Sequence, residues 1–106
     1  MPTITDLAAE GPRLRIQALK QAINSHGYVA ETTDTEPLLI VPSAFGPPVE
    51  IRCDARPARD GQLWFYVHPI GRPIAPADDD HLPKAVEAVK ARLAAKEQAW
   101  EQAGGR

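Results

Sequence analysis

The sequence predicts an α+β fold: a helix, an antiparallel sheet of three to four strands, and a second, longer helix, with both helices on one face of the sheet. Three observations predict it. Apolar residues recur with a helical period before residue 26 and after residue 80, and with a period of about two between them. Most of the eleven prolines fall between Pro37 and Pro76, so that region must be strands and tight loops. Each helical segment offers only one apolar stripe, which suits a helix lying on a sheet.

Taken in order, Asp6 to Glu10 fits a single helical turn before a break at Gly11-Pro12. Pro12 suits the first position of a longer helix, where its missing N–H costs nothing. Leu14, Ala18 and Ala22, with Leu19 and Ile23, supply that helix's stripe. Gly27 stands where a left-handed C-terminal cap is wanted, and His26 before it reads as a polar group at a helix end. Residues 28–32 read as a strand, 38–41 as a wholly apolar central strand ended by Pro42, and 43–48 as a loop. Val49 to Asp54 alternates, with Val49, Ile51 and Cys53 inward. Asp60-Gly61 is a hairpin signal. Leu63 to His68, rich in aromatic and β-branched residues, is the strongest strand of the chain.

Pro69 to Pro76 reads as an extended linker across the end of the sheet. Asp78, Asp79 and Asp80 open the last helix with an N-cap and acidic charge at the positive end of its dipole. Leu82, Val86, Val89 and Leu93 form its stripe, and the same register continues through Lys96 to Trp100. The 106 residues suit one domain, 1–106, with mobile ends at 1–10 and 104–106.

Composition narrows the function classes. A net charge of −2 provides no global field for nucleic acid or an anionic membrane. The lone cysteine excludes an intrachain disulfide and a cysteine-based zinc cluster. The start of the chain lacks a signal-peptide pattern and the longest apolar run is far too short to span a bilayer, so a cytoplasmic protein without membrane contact is expected.

Four groups of residues are candidates for chemistry. Cys53 and His68 would face each other if Asp60-Gly61 were a two-residue turn, giving the start of a nucleophilic dyad, without a third group or an oxyanion loop. The run Asp78, Asp79, Asp80 and His81 has metal-ligand chemistry, but no further ligands lie at a recognisable spacing, and a capped helix N-terminus accounts for it. Gly71-Arg72-Pro73 lacks the spacing of a phosphate loop. Lys84, Lys90, Arg92 and Lys96 interleave with Glu87, Glu97 and Glu101, which describes a self-paired helix surface rather than a nucleic-acid helix.

Trp64 and Tyr66 are the sharpest feature. Both faces of their strand are apolar; with Leu63, Phe65 and Val67 beneath the helices, Trp64 and Tyr66 fall on the face that has no helix of its own, either open to a partner or covered by the linker 69–76 or the first strand. The segments Leu63-Trp64-Phe65-Tyr66, Gly71, Pro73-Ile74 and Ala77-Asp78-Asp79 resemble a group of small, functionally unassigned actinomycete proteins across the C-terminal half of the chain. That resemblance implies an accessory factor near regulatory or specialised-metabolism genes, with no catalytic motif to carry over.

The expectation is therefore a non-enzymatic accessory or regulatory protein that uses no cofactor and binds another protein through Trp64 and Tyr66. The alternative is a small-ligand binder or minor enzyme built around Cys53 and His68, with Arg52 as a further residue that would converge on the pocket. A homodimer is also expected. A helix from Asp80 to Ala103 spans roughly 35 Å over strands of about 17–20 Å, so Trp100 should overhang the sheet and seek a second copy.

Overall fold

A computed structural model describes residues 4–33, 36–56, 61–68 and 71–104. The first helix, α1, runs Ile4–Ser25, and the second, α2, runs Leu82–Gln102. Between them lie β1 (Glu31–Thr32), β2 (Leu38–Val41), β3 (Val49–Arg56), β4 (Gln62–Val67) and β5 (Arg72–Pro76), followed by a short 3₁₀ turn over Asp79–His81. Among the described residues these five strands form one antiparallel sheet in the order β1-β2-β3-β4-β5, so every strand pairs with its sequence neighbours.

The α+β class and the order helix, sheet, helix are as predicted, but four local expectations need correction. The break at Gly11-Pro12 does not occur, because α1 passes straight through Pro12. Proline cannot donate to the Ala8 carbonyl, which removes one helical hydrogen bond. Packing offsets the loss: Pro12 is buried, and a Cβ at Gly11 would sit 3.5 Å from Leu63 Cδ1. This dipeptide is where the helix rests on β4, not where it starts.

The buried stripe of α1 is also rotated from the predicted one. Pro12, Ile16, Leu19 and Ile23, at spacings of 4, 3 and 4, are the buried positions. Leu14 lies off that stripe and is 62 % exposed.

The first strand shrinks to two residues because the cap of α1 uses the backbone before it. Gly27, at φ 89°, donates to the Asn24 carbonyl and Tyr28 to that of Ile23, the paired bonds of a Schellman motif. The Ala30 N–H donates to Asn24 Oδ1. Pairing with β2 starts only at Glu31, opposite Ile40.

Finally, residues 72–76 are a fifth strand and not a linker. Pro73 and Pro76 obscure it in the sequence, yet an edge strand tolerates proline where the missing N–H would face outward. The Ala77 N–H points inward to the Leu63 carbonyl, so the nitrogen of Pro76 turns away from β4. Phe65 pairs with Ala75 but Tyr66 pairs with Pro73, which leaves Ile74 as the extra residue of a bulge.

The core lies between the helices and one sheet face. It joins Ile16, Leu19 and Ile23 of α1 and Ala85, Val86 and Val89 of α2 to Leu39, Val41, Val49, Ile51, Cys53 and Phe65 of the sheet. Leu82 and Leu93 pack at its margin, as the stripe of α2 predicts. The start of α2 is fixed by Asp78, whose Oδ1 accepts the His81 N–H at 2.9 Å, and by an Arg15–Asp79 ion pair, also at 2.9 Å, that ties it to α1. Among the described residues no helix is long and apolar enough to cross a membrane.

The rotated stripe can be measured. Leu19→Ala should cost about 2–5 kcal/mol in chemical denaturation. Leu14→Ala should stay within roughly 0.5 kcal/mol of the parent. The predicted stripe that includes Leu14 would give the two variants comparable losses.

Candidate functional site

Alternation along the strands decides which residues reach the face that neither helix covers. With Cys53 and Phe65 in the core, their neighbours Arg52, Asp54, Trp64 and Tyr66 point the other way. Register then sets two rows across the sheet. Trp64 stands between Asp54 and Pro76, and Tyr66 stands between Arg52 and Pro73. Leu38 extends the second row on the far side of Arg52. Cross-strand neighbours on one face lie close enough for these side chains to interact.

Charges tie the rows together. Arg52 lies 3.7 Å from Glu36 and 3.9 Å from Asp54, long separations for ion pairs. Both carboxylates are about half exposed, so each pair contributes about 0–1 kcal/mol and its partners exchange readily. Burial, then the charge of Asp54 and a hydrogen bond to it, raise the Tyr66 phenol above its ordinary pKa. At neutral pH, Tyr66 is therefore a neutral donor next to Asp54. Trp64 and Tyr66 are half-buried. The exposed large apolar residues among those described are instead Leu14, Tyr28, Val29 and Trp100.

The predicted dyad does not form. A two-residue turn would have set Cys53 opposite His68, but the connection after β3 spans residues 57–61, and the register puts Cys53 opposite Phe65. The His68 backbone N–H donates to the Glu50 carbonyl at 3.0 Å, three residues further along the strand. Cys53 is fully buried. Burial above all, and next the charge of Asp54, push its thiol up to about 12 against the opposing pull of Arg15. Such a thiol is neutral and shielded at physiological pH. Asp60, half of the expected hairpin signal, lies outside the described residues.

The acidic run has work of its own. Asp78 caps the turn before α2, and His81 Nδ1 lies 2.7 Å from the same Oδ1. The His81 side chain first, and its backbone N–H after it, hold the Asp78 carboxyl below its ordinary range. Asp79 pairs with Arg15. Asp80 is exposed, and among the described residues no three acids, histidines or cysteines converge as a metal site.

Trp100 does not hang free of the domain. Its ring lies 5.3 Å from that of Phe45 at an interplanar angle of 57°, a tilted aromatic pair. The loop after β2 thus reaches the last turns of α2 and covers part of the Trp100 ring, which stays 36 % exposed. Phe45 was missed because a single aromatic in a Gly/Pro-rich loop carries no periodicity. No family model, curated protein or solved structure matches the chain.

The shielded thiol has a measurable pH signature. An unfolded thiol ionises at about 9.0 but the folded one only at about 12, so its contribution is complete below pH 9 and is lost as the pH rises from there through 12. Tyr66, also raised, acts in the same direction. Unfolding free energies of the parent should fall more between pH 8 and about pH 10.5 than those of Cys53→Ala. Alkylation of Cys53 at pH 8 should proceed only as fast as the protein unfolds; rapid labelling of the folded chain would contradict a shielded thiol.

Proposed function

We propose that this chain is a non-enzymatic binding protein that docks another protein on its helix-free sheet face. One observation carries the reading: Trp64, Tyr66 and Arg52 occupy neighbouring cross-strand positions on that face. Tryptophan, tyrosine and arginine are the residues most enriched at the energetic centres of protein interfaces. Trp64 and Tyr66 stand opposite Pro76 and Pro73, and the weak Arg52 pairs leave its guanidinium free to exchange Glu36 and Asp54 for a partner's carboxylate.

The edges of the sheet support docking through the face. Strand addition needs a free ladder of N–H and C=O groups. At one edge β1 has only two residues. At the other, β5 carries Pro73 and Pro76, which blunt an edge against pairing.

The reaction chemistry considered for Cys53 and His68 has no comparable support, since the register separates them and the thiol is buried. An accessory role fits a site made of contacts rather than of proton-transfer groups.

The test is affinity capture with the full chain and with Trp64→Ala/Tyr66→Ala, after circular dichroism establishes that the variant folds. The parent should retain a partner saturably, and the double variant should bind it at least about thirtyfold more weakly, the loss expected for one or more interface hot spots. Arg52→Ala should show a smaller loss in the same direction. Equal retention by the parent and the folded double variant would remove this face from the function.

A further inference from the structure

On the helix side of the sheet, where β4 ends and β5 begins, two hollows open against α2. One, of about 330 Å³, is lined by Glu50, Val67, His68, Arg92 and Lys96 among others. The other, of about 410 Å³, is bounded by Arg72, Arg92 and three alanines of α2, Ala88, Ala91 and Ala95. Both include Arg92 and Ala95, so Arg92 stands between them.

The charges here are unlike those of the rest of the chain. The protein carries a net −2, yet Arg72, Arg92 and Lys96 gather around these hollows with Glu50 as the one carboxylate lining them. Arg92 and Lys96 are four residues apart on one helix face, a spacing at which like charges destabilise a helix. Elsewhere on α2, Lys90 lies 3.3 Å from Glu87. Among the described residues no carboxylate comes within 4 Å of Arg72, Arg92 or Lys96. Arg92 Nε is buried and among the described residues finds no acceptor. A buried N–H without a protein acceptor is costly and rare, and an ordered water or a bound ion is what completes it. The alanines leave room beside the guanidinium that longer side chains would fill.

We propose that this groove binds the oxyanion group of a small molecule, a phosphate or a carboxylate, with Arg92 as the central donor and Arg72, Lys96 and His68 around it. Arginine presents a planar fork of donors matched to such groups, and lysine adds a point charge. A volume of about 330 Å³ lies at the small end of ligand pockets, which limits the ligand to a compact molecule. The site is separate from the face that carries Trp64 and Tyr66, so either can fail without the other.

The experiment is an NMR titration of the labelled full-length chain with inorganic phosphate and, separately, with succinate, at an ionic strength held constant with sodium chloride. The expected result is saturable movement of the Arg92 Nε–H signal and of the amides of His68, Arg92 and Ala95. Saturation by phosphate alone or by succinate alone supports the site and identifies the group it takes. Arg92→Gln should weaken binding about tenfold or more, the loss of one charge-assisted hydrogen bond. Lys90→Gln, on the same helix, should leave the affinity unchanged. Should Arg92→Gln fail to fold, Arg72→Gln, an exposed position, serves as the second variant and should also weaken binding. Shifts that grow linearly with either probe, that chloride reproduces, or that survive both arginine substitutions would overturn the proposal.

Discussion

Two helices can cover only one face of a sheet, and the apolar cluster they bury there is the constraint on which the rest of this structure depends. Phe65, Ile51, Cys53 and Leu39 are completely buried beneath Leu19, Ile23 and Val89. Side chains alternate along a strand, so placing Phe65 in that cluster also decides the positions of Trp64 and Tyr66. A slip of one residue would carry the aromatic pair into the core and Phe65 out of it. The pairing of β3 with β4 extends the same decision to Arg52 and Asp54. The packing on one side thereby arranges the side chains of the candidate site on the other.

Much of this was legible in the residues. The stripe of α2, the alternation of β3 and the aromatic strand β4 all carry strong periodicity, and the helix-free face follows once they are combined. What escaped had contrary local signals. Gly11-Pro12 reads as a helix break, and only contact with Leu63 shows why the helix continues. Pro73 and Pro76 argue against a strand unless that strand is known to lie at an edge. Leu14 and Ile16 compete for one stripe, and the sheet beneath, not α1 itself, decides between them. Cys53 and His68 depended on a loop length, and residues 57–61 make that loop too long for the expected register.

The two candidate sites differ in chemistry. On the helix-free face, Arg52 already lies between two carboxylates and its neighbours are rings, which suits a broad contact that excludes water from a few anchors. In the groove beside α2, no carboxylate of the described residues comes within 4 Å of the cations and the flanking residues are small, which suits a compact anion. The sequence hides the second site because Lys90, Arg92 and Lys96 interleave with acids, and only the three-dimensional arrangement gathers Arg92 and Lys96 with Arg72 around one groove.

The face assignment itself is open to one direct measurement, the unfolding free energies of Phe65→Ala and Tyr66→Ala determined side by side. Phe65 is wholly buried and should cost roughly 3–5 kcal/mol when truncated. Tyr66, half-buried on the other face, should cost about 1 kcal/mol. A loss for Tyr66→Ala that equals or exceeds the loss for Phe65→Ala would mean that the two faces of β4 are reversed, and with them the site.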